Sequence, residues 1–138
     1  MHELREMNIE DYQSLIGLWS RTEGLALSDA DSEAAIDYYL KRNKGLSYVC
    51  THEGRIVGTI LCGHDGRRGY IYHVVVEPEF RGKSLGQELV NQSLKRLKEE
   101  GINKCHIMVI ADNKIGNHFW NKTGWIRRDG ILLYSHNT

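Results

Sequence analysis

The residues of this chain best suited to chemistry lie in the run YIYHVVVEPEFRGKSLG, from Tyr70 to Gly86. Its first half is almost entirely β-branched or aromatic, which is typical of a buried strand. Pro78, the only proline, ends that strand because it has no N–H to donate. The basic turn that follows consists of Arg81, Gly82, Lys83, Ser84, Leu85 and Gly86. Because backbone amides and cationic side chains at a helix start bind phosphate, this turn predicts a diphosphate site.

Two nucleotide-binding loops of similar composition are excluded by their spacing. Gly82-Lys83-Ser84 resembles the end of a P-loop, but that motif needs a glycine where Glu77 stands. Gly82, Ser84 and Gly86 also do not have the three-glycine spacing of a dinucleotide fingerprint. Binding of Mg-ATP through this turn is therefore not expected.

The composition restricts the class of protein and its partners. At 138 residues the chain is long enough to bury its own core, and we expect a single domain over residues 1–138. Lysine plus arginine and aspartate plus glutamate both number 18, so no broad basic face indicates a nucleic-acid partner. No apolar run has the length of a membrane span, and the charged start MHELREMNIED is unlike a secretory signal. We expect a cytoplasmic protein without a membrane partner.

The cysteines and histidines do not indicate a metal site. Cys50, Cys62 and Cys105 each lie in a strand-like run, and no Cys-x-x-Cys spacing occurs. The histidines also lack the spacing of zinc ligands. We therefore expect buried structural thiols and no bound metal.

The elements that must position the turn follow from hydrophobic periodicity and turn residues. Glu53-Gly54 and Asp129-Gly130 are typical of tight hairpins. The predicted strands are 2–7, 47–52, 55–62, 70–76, 105–110, 125–127 and 131–135, and the predicted helices follow Asn8, span 32–43, follow Gly86 and span 114–122. The order β-α-α-β-β-β-α-β-α-β-β describes an α/β (α+β) fold with a mixed central sheet.

Two motifs in this frame resemble the signatures of the GNAT acetyltransferases. Val76-Glu77-Pro78 matches a strand that ends in V-x-P, and the turn at 81–86 matches Q/R-x-x-G-x-G/A, with Ser84 where a glycine is usual. The run NKIGNHFWNKTGW, from Asn113 to Trp125, matches the second signature, N-x-x-A/G-x-x-F/Y-Y-x-K-x-G-F. Since the element order also agrees, the chain is similar to single-domain bacterial members of this family.

The resemblance implies acetyl-CoA as the co-substrate and direct attack of an amine on its thioester in a ternary complex. The turn at 81–86 would hold the diphosphate, and a backbone N–H of Val75 or Val76 would donate to the developing oxyanion. In the family, the asparagine at the position of Asn113 bonds the pantetheine arm. Besides the turn, the residues expected to contact the co-substrate are Val74, Val75, Val76, Asn113, Phe119 and Trp120.

Trp120 is a departure from the family pattern. The family usually has a tyrosine there, to which protonation of the leaving thiolate is assigned. An indole N–H donates a hydrogen bond but cannot deliver a proton near neutral pH. A thiol with a pKa of about 8.5 leaves tolerably well as a thiolate, at roughly 2 kcal/mol of protonation energy at pH 7. We expect Trp120 to line the site without transferring a proton.

The attacking amine must be neutral, which at pH 7 requires about 4.6 kcal/mol for a lysine side chain and about 1.4 kcal/mol for an α-amine. The candidate catalytic residues are Tyr70 and Tyr72, on one face of the strand, and His73 on the opposite face, with Glu77 at the end of the strand as a further candidate base. Family enzymes often have a carboxylate or histidine on the face of the tyrosines, and this chain is predicted to have neither there. The sequence therefore favours a tyrosine-lined, water-assisted route.

The function predicted from the sequence is transfer of an acetyl group from acetyl-CoA to a primary amine. The acceptor is either a protein α-amine, as in the ribosomal-protein-alanine branch that the chain resembles, or a small-molecule amine. The alternative is a non-catalytic module that binds or senses acyl-CoA, because the usual tyrosine is missing. A homodimer is possible, since proteins of this family often dimerise.

Overall fold

The computed structural model describes residues 2–138 and divides the chain into two compact units. The first unit ends at Met108, and the second begins at Val109. In the first unit, the strands are β1 (His2–Glu6), β2 (Tyr48–His52), β3 (Arg55–His64), β4 (Gly69–Val76) and β5 (Cys105–Ile107), and the helices are α1 (Tyr12–Ser20), α2 (Glu33–Arg42) and α3 (Leu85–Glu99). The second unit contains α4 (Lys114–Lys122).

The five strands form one sheet in the order β1-β2-β3-β4-β5. The first four are antiparallel neighbours, and β5 pairs with β4 in parallel. The predicted hairpin turn between β2 and β3 is present, with φ of 50° at Glu53 and 78° at Gly54. Positive φ at both central residues matches the right-handed twist of the flanking strands. The mixed sheet predicted from the sequence is confirmed.

The sheet carries helices on both faces. Trp19 and Leu15 of α1 and Ile36 of α2 are buried with Val49, Leu61 and other apolar residues in one cluster. On the other face, α3 approaches at two glycines of the strands. A Cβ on Gly58 would lie 3.1 Å from Leu89, and a Cβ on Gly69 would lie 2.6 Å from Leu97. The sheet therefore accepts α3 closely only because these positions have no side chain.

All three cysteines are free thiols. Cys50 and Cys62 are buried, whereas Cys105 is partly buried. Burial raises the pKa of the Cys62 thiol to about 12 and that of Cys105 to about 11. These thiols stay protonated at neutral pH and act as small apolar side chains.

The last part of the chain differs from the prediction. The strand predicted at 105–110 ends at Ile107, and the Asn117 side chain donates to the carbonyl oxygens of Ile110 and Ala111. Carbonyls that accept from a side chain are not available to a ladder. Asp129-Gly130 forms a turn, but no strand flanks it within the described residues.

The hairpin predicted at 125–127 and 131–135 is therefore wrong. Ile131, Leu132, Leu133 and Tyr134 are instead between 70% and 87% exposed. A two-stranded hairpin without a further strand or a helix to pack on is marginal in water. Asp129 and Gly130 were sufficient to predict a turn, but they do not determine whether the segments on either side pair as strands.

Within residues 2–138, no helix is both long enough and apolar enough to cross a membrane. The same residues contain no group of three or more His, Cys, Asp or Glu side chains placed to hold a metal ion.

Candidate active site

One 3-10 turn, Pro78–Phe80, precedes the predicted diphosphate turn at 81–86, and α3 begins within that turn at Leu85. The backbones of Gly82 and Ser84 are left-handed, with φ of 78° and 65°. Among the described residues, no acceptor is found for the amides of residues 82 to 86. Because the first amides of a helix have no intrahelical partner, these free donors lie at the positive end of the α3 dipole.

Two cationic side chains lie against Phe80, just before this turn, and one of them, Arg55, is also ion-paired with Glu77 and Glu79. The Nζ atom of Lys83 lies 5.4 Å from the centre of the Phe80 ring, and the guanidinium carbon of Arg55 lies 5.6 Å from the same ring. Arg81 folds back along the strand, where its Nε donates to the carbonyl oxygen of Val76 over 3.0 Å. The turn thus combines free amides with positive charge, the two features that bind phosphate.

The strand before the turn has one open edge. Its pairing with β3 continues to Val76, whereas its pairing with β5 extends only from Gly69 to Ile71. Within the described residues, residues 72–76 therefore have no ladder partner on the β5 side. The first unit therefore has a fork between β4 and β5.

The hydrogen-bond pattern with β3 determines which amides of β4 face this open edge. The N–H of Glu77 donates to the carbonyl oxygen of Val57 over 2.8 Å. Because neighbouring residues of an antiparallel pair alternate in direction, the backbone of Val75 also faces β3. The N–H groups of Val74 and Val76 face the open edge. Of the two oxyanion donors expected from the sequence, only Val76 is directed there, and Val74 joins it.

A bulge in β4 changes the faces predicted for the candidate catalytic residues. The β3–β4 register shifts beside His73, which has a φ of 49°. Tyr72 lies against Tyr39 of α2, with ring centres 6.5 Å apart, and His73 lies against Trp19 of α1, with ring centres 4.7 Å apart. Both therefore face the α1–α2 layer, and the predicted opposite placement of His73 is wrong. A left-handed residue in a bulge interrupts the alternation of a regular strand.

The bulge is held by a buried chain of hydrogen bonds. The indole N–H of Trp19 donates to the Thr59 hydroxyl over 3.0 Å, and that hydroxyl donates to the carbonyl oxygen of His73 over 2.8 Å. Thr59 and Trp19 are completely buried. Because a buried donor or acceptor without a partner costs free energy, these hydrogen bonds favour the left-handed conformation of His73.

The imidazole of His73 is paired with a carboxylate. Its Nε2 lies 2.7 Å from Oδ1 of Asp31, and the two side chains are only 14% and 9% exposed. The other carboxylate oxygen of Asp31 accepts the backbone N–H of Ser28, and the Tyr12 hydroxyl donates to the Asp31 carbonyl oxygen. Asp31 is thus fixed at both its side chain and its backbone.

Tyrosines line a small pocket, and one of them, Tyr72, is the residue before His73. The pocket has a volume of about 180 Å³. Tyr39 contributes a buried hydroxyl that has no hydrogen-bond partner within the described residues. Burial raises the pKa of Tyr39 well above its usual value, and burial and then Tyr70 raise the pKa of Tyr72. The residues that line the pocket are Tyr39, Arg42, Asn43, Gly63, His64, Asp65, Tyr70 and Tyr72. The phenols of Tyr39 and Tyr72 stay protonated near neutral pH and so serve as hydrogen-bond donors.

In the second unit, the predicted co-substrate residues lie on α4. Asn113 is the N-cap of this helix, and its side-chain oxygen accepts the N–H of Gly116 over 3.1 Å. A Cβ on Gly116 would lie 2.8 Å from the Asn113 side chain, which explains the small residue there. Trp120 makes edge-to-face contacts with Phe119 and Trp125, at 4.8 and 4.9 Å between ring centres. Capping leaves the Asn113 amide donors available to a ligand.

This combination of a forked sheet and a helix start with free amides agrees with the comparison to known families. Residues 2–125 match the family described as the acetyltransferase (GNAT) family. The chain therefore belongs to this family. The sequence-based predictions of the family, the fold, an acetyl-CoA-dependent N-acetyltransferase and acetyl-CoA as co-substrate are confirmed.

Solved structures of similar fold cover most of the chain. PaiA N-acetyltransferase from Thermoplasma acidophilum, solved with coenzyme A, is 22% identical, with a TM-score of 0.80 over 94% of this chain and 92% of that chain. Glucosamine-6-phosphate N-acetyltransferase from Arabidopsis thaliana is 22% identical, with a TM-score of 0.73 over 99% and 98%. Ribosomal-protein-S18-alanine N-acetyltransferase from Escherichia coli is 15% identical, with a TM-score of 0.72 over 90% and 77%. At these identities, the similarity establishes the fold.

Several residues of this site were not indicated as such by the sequence. Ser28 and Asp31 have the spacing of a capping box, which predicts a turn but not the contact with His73. Thr59 reads as an ordinary strand residue, and Tyr39 reads as part of the apolar face of a helix. Their roles depend on contacts between residues far apart in the chain, which a single sequence does not display.

Proposed function

We propose that this protein transfers the acetyl group of acetyl-CoA to a primary amine, which attacks the thioester directly in a ternary complex. The observation that carries the proposal is the strand–turn–helix unit from β4 to α3. It presents the free amides of residues 82–86 directly after the open strand edge at 72–76. A phosphate group and an extended amide-bearing chain, both present in coenzyme A, fit these two features.

The turn holds the diphosphate. The amides of 82–86 donate to its oxygens, and Lys83, whose ammonium makes no ion pair in the described residues, adds positive charge. The helix dipole contributes about 0.3–1 kcal/mol, and about 2 kcal/mol where the site is partly buried. Arg81 holds the strand end through Val76 and is close enough in sequence to reach the same phosphates.

The open edge of β4 holds the pantetheine arm and the thioester. The N–H of Val76 or Val74 donates to the thioester oxygen as it becomes an oxyanion, a type of interaction worth about 2.7–4 kcal/mol where it has been removed from other enzymes. Val75 contributes core packing, since it is 5% exposed and its backbone faces β3. Asn113, Phe119 and Trp120 are proposed to contact the pantetheine arm and the sulfur.

The tyrosine pocket next to the bulge is the proposed acceptor site. Tyr70 and Tyr72 line it, and the unpartnered hydroxyl of Tyr39 supplies a donor for the acceptor molecule. Both a protein α-amine and a small-molecule amine remain candidates, since the structures of similar fold include a ribosomal-protein-alanine and an amino-sugar N-acetyltransferase. The cytoplasmic location and the homodimer stay predictions.

The sequence left a non-catalytic acyl-CoA sensor as the alternative, because the indole of Trp120 cannot protonate the leaving thiolate. The match to the acetyltransferase family favours the enzyme. The two functions differ in one measurement, the amine-dependent release of free coenzyme A. The assay follows thiol release from acetyl-CoA across a panel of alkyl amines and N-terminal peptides. Turnover with any of them supports the enzyme, whereas tight binding of acetyl-CoA without turnover supports the sensor.

The position of the diphosphate site is tested by Arg81→Ala combined with Gly82→Glu. The added carboxylate would stand among the free amides, so we expect loss of acetyl-CoA binding in calorimetry with the fold preserved by circular dichroism.

Gly54→Glu is the matched control. Gly54 has the same φ of 78° as Gly82 and also has nothing within 4 Å of an added Cβ, but it lies in the β2–β3 turn. This variant introduces the same backbone strain and the same single carboxylate as Gly82→Glu, and it is expected to bind acetyl-CoA normally. Unchanged affinity in the double variant would show that the diphosphate binds elsewhere.

A further inference from the structure

The bulge of β4 places an imidazole and a carboxylate in a buried pair that the cofactor-binding features do not require. His73 Nε2 and Asp31 Oδ1 are 2.7 Å apart, and both side chains are largely shielded from solvent. A buried polar pair is retained only where it is well partnered. Here the carboxylate is held by Ser28 and the histidine backbone by Thr59, so both members have a fixed geometry.

The pair determines which nitrogen of His73 is free. An ionised carboxylate only accepts hydrogen bonds, so the short contact to Asp31 requires the ring proton to be on Nε2. In the neutral ring, Nδ1 then carries the lone pair. Within the described residues, no donor to Nδ1 of His73 is found. A nitrogen with a free lone pair, fixed in orientation by a carboxylate, has the geometry of a general base.

The same bulge joins His73 directly to a proposed oxyanion donor. His73 and the oxyanion donor Val74 are consecutive residues, and the His73 carbonyl is turned to Thr59. In a trans peptide, the C=O and the following N–H point in opposite directions. The carbonyl is held by the Thr59 hydroxyl, which also accepts from Trp19 of α1, so the Val74 N–H points away from that hydroxyl while the imidazole faces the α1–α2 layer. The peptide unit between His73 and Val74 thus carries a proposed oxyanion donor directly beside the proposed base.

We propose that His73 is the general base of the acetyl transfer and that Asp31 is its positioning residue; this inference rests on the proposed function. As the amine nitrogen forms its bond to the thioester carbon, its proton passes to Nδ1 of His73, directly or through one water molecule. The electron pair of the breaking C–S bond goes to sulfur, which leaves as the thiolate. The imidazolium then releases the proton to water, and the carboxylate of Asp31 stabilises it in the interval.

His73→Gln tests the base. The glutamine amide preserves a donor to Asp31 but has no basic nitrogen, so kcat should fall about 10²–10⁴-fold. The KM for acetyl-CoA should change less than about twofold, since the residue does not contact the diphosphate. Steady-state thiol release with the best acceptor of the amine and peptide panel measures both constants.

Asp31→Asn tests the positioning role. The asparagine oxygen can still accept the Ser28 N–H, which leaves the side-chain NH2 to donate to His73 and to force its proton onto Nδ1. The nitrogen proposed as base would then be blocked, and kcat should fall roughly tenfold or more without a comparable change in the KM for acetyl-CoA. Asp29→Asn is the control, because it removes one negative charge from the same turn at an exposed position.

A spectroscopic measurement separates failure of this inference from failure of the proposed function. Nitrogen-15 NMR of labelled protein reports which ring nitrogen of His73 carries the proton, with or without turnover. We expect the proton on Nε2 in the wild type and on Nδ1 in Asp31→Asn. A proton on Nδ1 in the wild type, or wild-type kcat in either variant, would overturn the inference. Absence of turnover in the wild type with every amine would instead count against the proposed function.

Discussion

Left-handed backbone at residues other than glycine marks the candidate site. Among the described residues, only Glu53, His73 and Ser84 combine a side chain with a positive φ. Glu53 belongs to a hairpin turn, where this conformation is usual. The other two lie at the proposed base and in the diphosphate turn. Strained residues persist where their surroundings hold them, and they concentrate at functional sites.

Ser84 also explains the one mismatch in the first family motif. It has a φ of 65° at a position where the family usually has glycine. Glycine adopts this conformation without steric cost, whereas serine does so at roughly 1–2 kcal/mol. The backbone conformation of the motif is therefore kept although the residue differs.

Ser84→Gly is expected to stabilise the protein by about 1 kcal/mol, because it relieves this strain. Acetyl-CoA binding should be kept or tightened, since the free amides of the turn do not depend on the serine hydroxyl, which makes no cap. Thermal unfolding and calorimetry measure the two effects. A destabilised variant would contradict the left-handed assignment.

Packing between elements depends on the glycines of the sheet. Gly69 and Gly58 leave room for α3, which must approach closely so that its first turn lies at the end of β4. The added Cβ of an alanine at 69 would lie 2.6 Å from Cδ1 of Leu97, which is itself 2% exposed. The position of the diphosphate turn is thus coupled to the packing of α3.

Gly69→Ala is expected to lower the free energy of unfolding by about 1–3 kcal/mol through overpacking. Leu97→Ala should then cost less in the Gly69→Ala background than in the wild type, by at least about 0.5 kcal/mol. Denaturant titration of the four proteins measures this coupling. Gly130→Ala is the control, since nothing lies within 4 Å of its added Cβ. Strict additivity would show that the two residues do not clash.

Elements with a strong local pattern were predictable from the sequence. The strand at β4, the turn after Pro78 and helix α3 follow from residue types that determine local structure. The bulge was not predictable, because it depends on Thr59 and Asp31, which are distant in sequence from His73. The alternation of side chains along a strand, taken alone, predicted His73 on the wrong face. The interpretation that the face of Tyr70 and Tyr72 lacks a histidine was wrong for the same reason.

At the scale of the whole molecule, the family match and the fold agree, whereas the acceptor is a local property. Many acetyltransferases share this architecture, so the fold does not select among amines. The equal numbers of basic and acidic residues, 18 each, also do not favour an acidic or a basic acceptor. We therefore expect selectivity to be decided in the proposed acceptor pocket, which Tyr39, Tyr70 and Tyr72 line.

The unpaired end of the chain makes it sensitive to proteases. Chymotrypsin prefers large apolar and aromatic side chains on accessible, extended backbone, and residues 131–134 offer four of them in a row. Trp19 and Tyr48 are buried, and Tyr38, although 70% exposed, lies within helix α2, so limited digestion should first cut within residues 131–134, which mass spectrometry would detect. A second subunit or a bound polypeptide that covers residues 131–134 would slow this first cleavage, and the slower rate would show that the segment is covered.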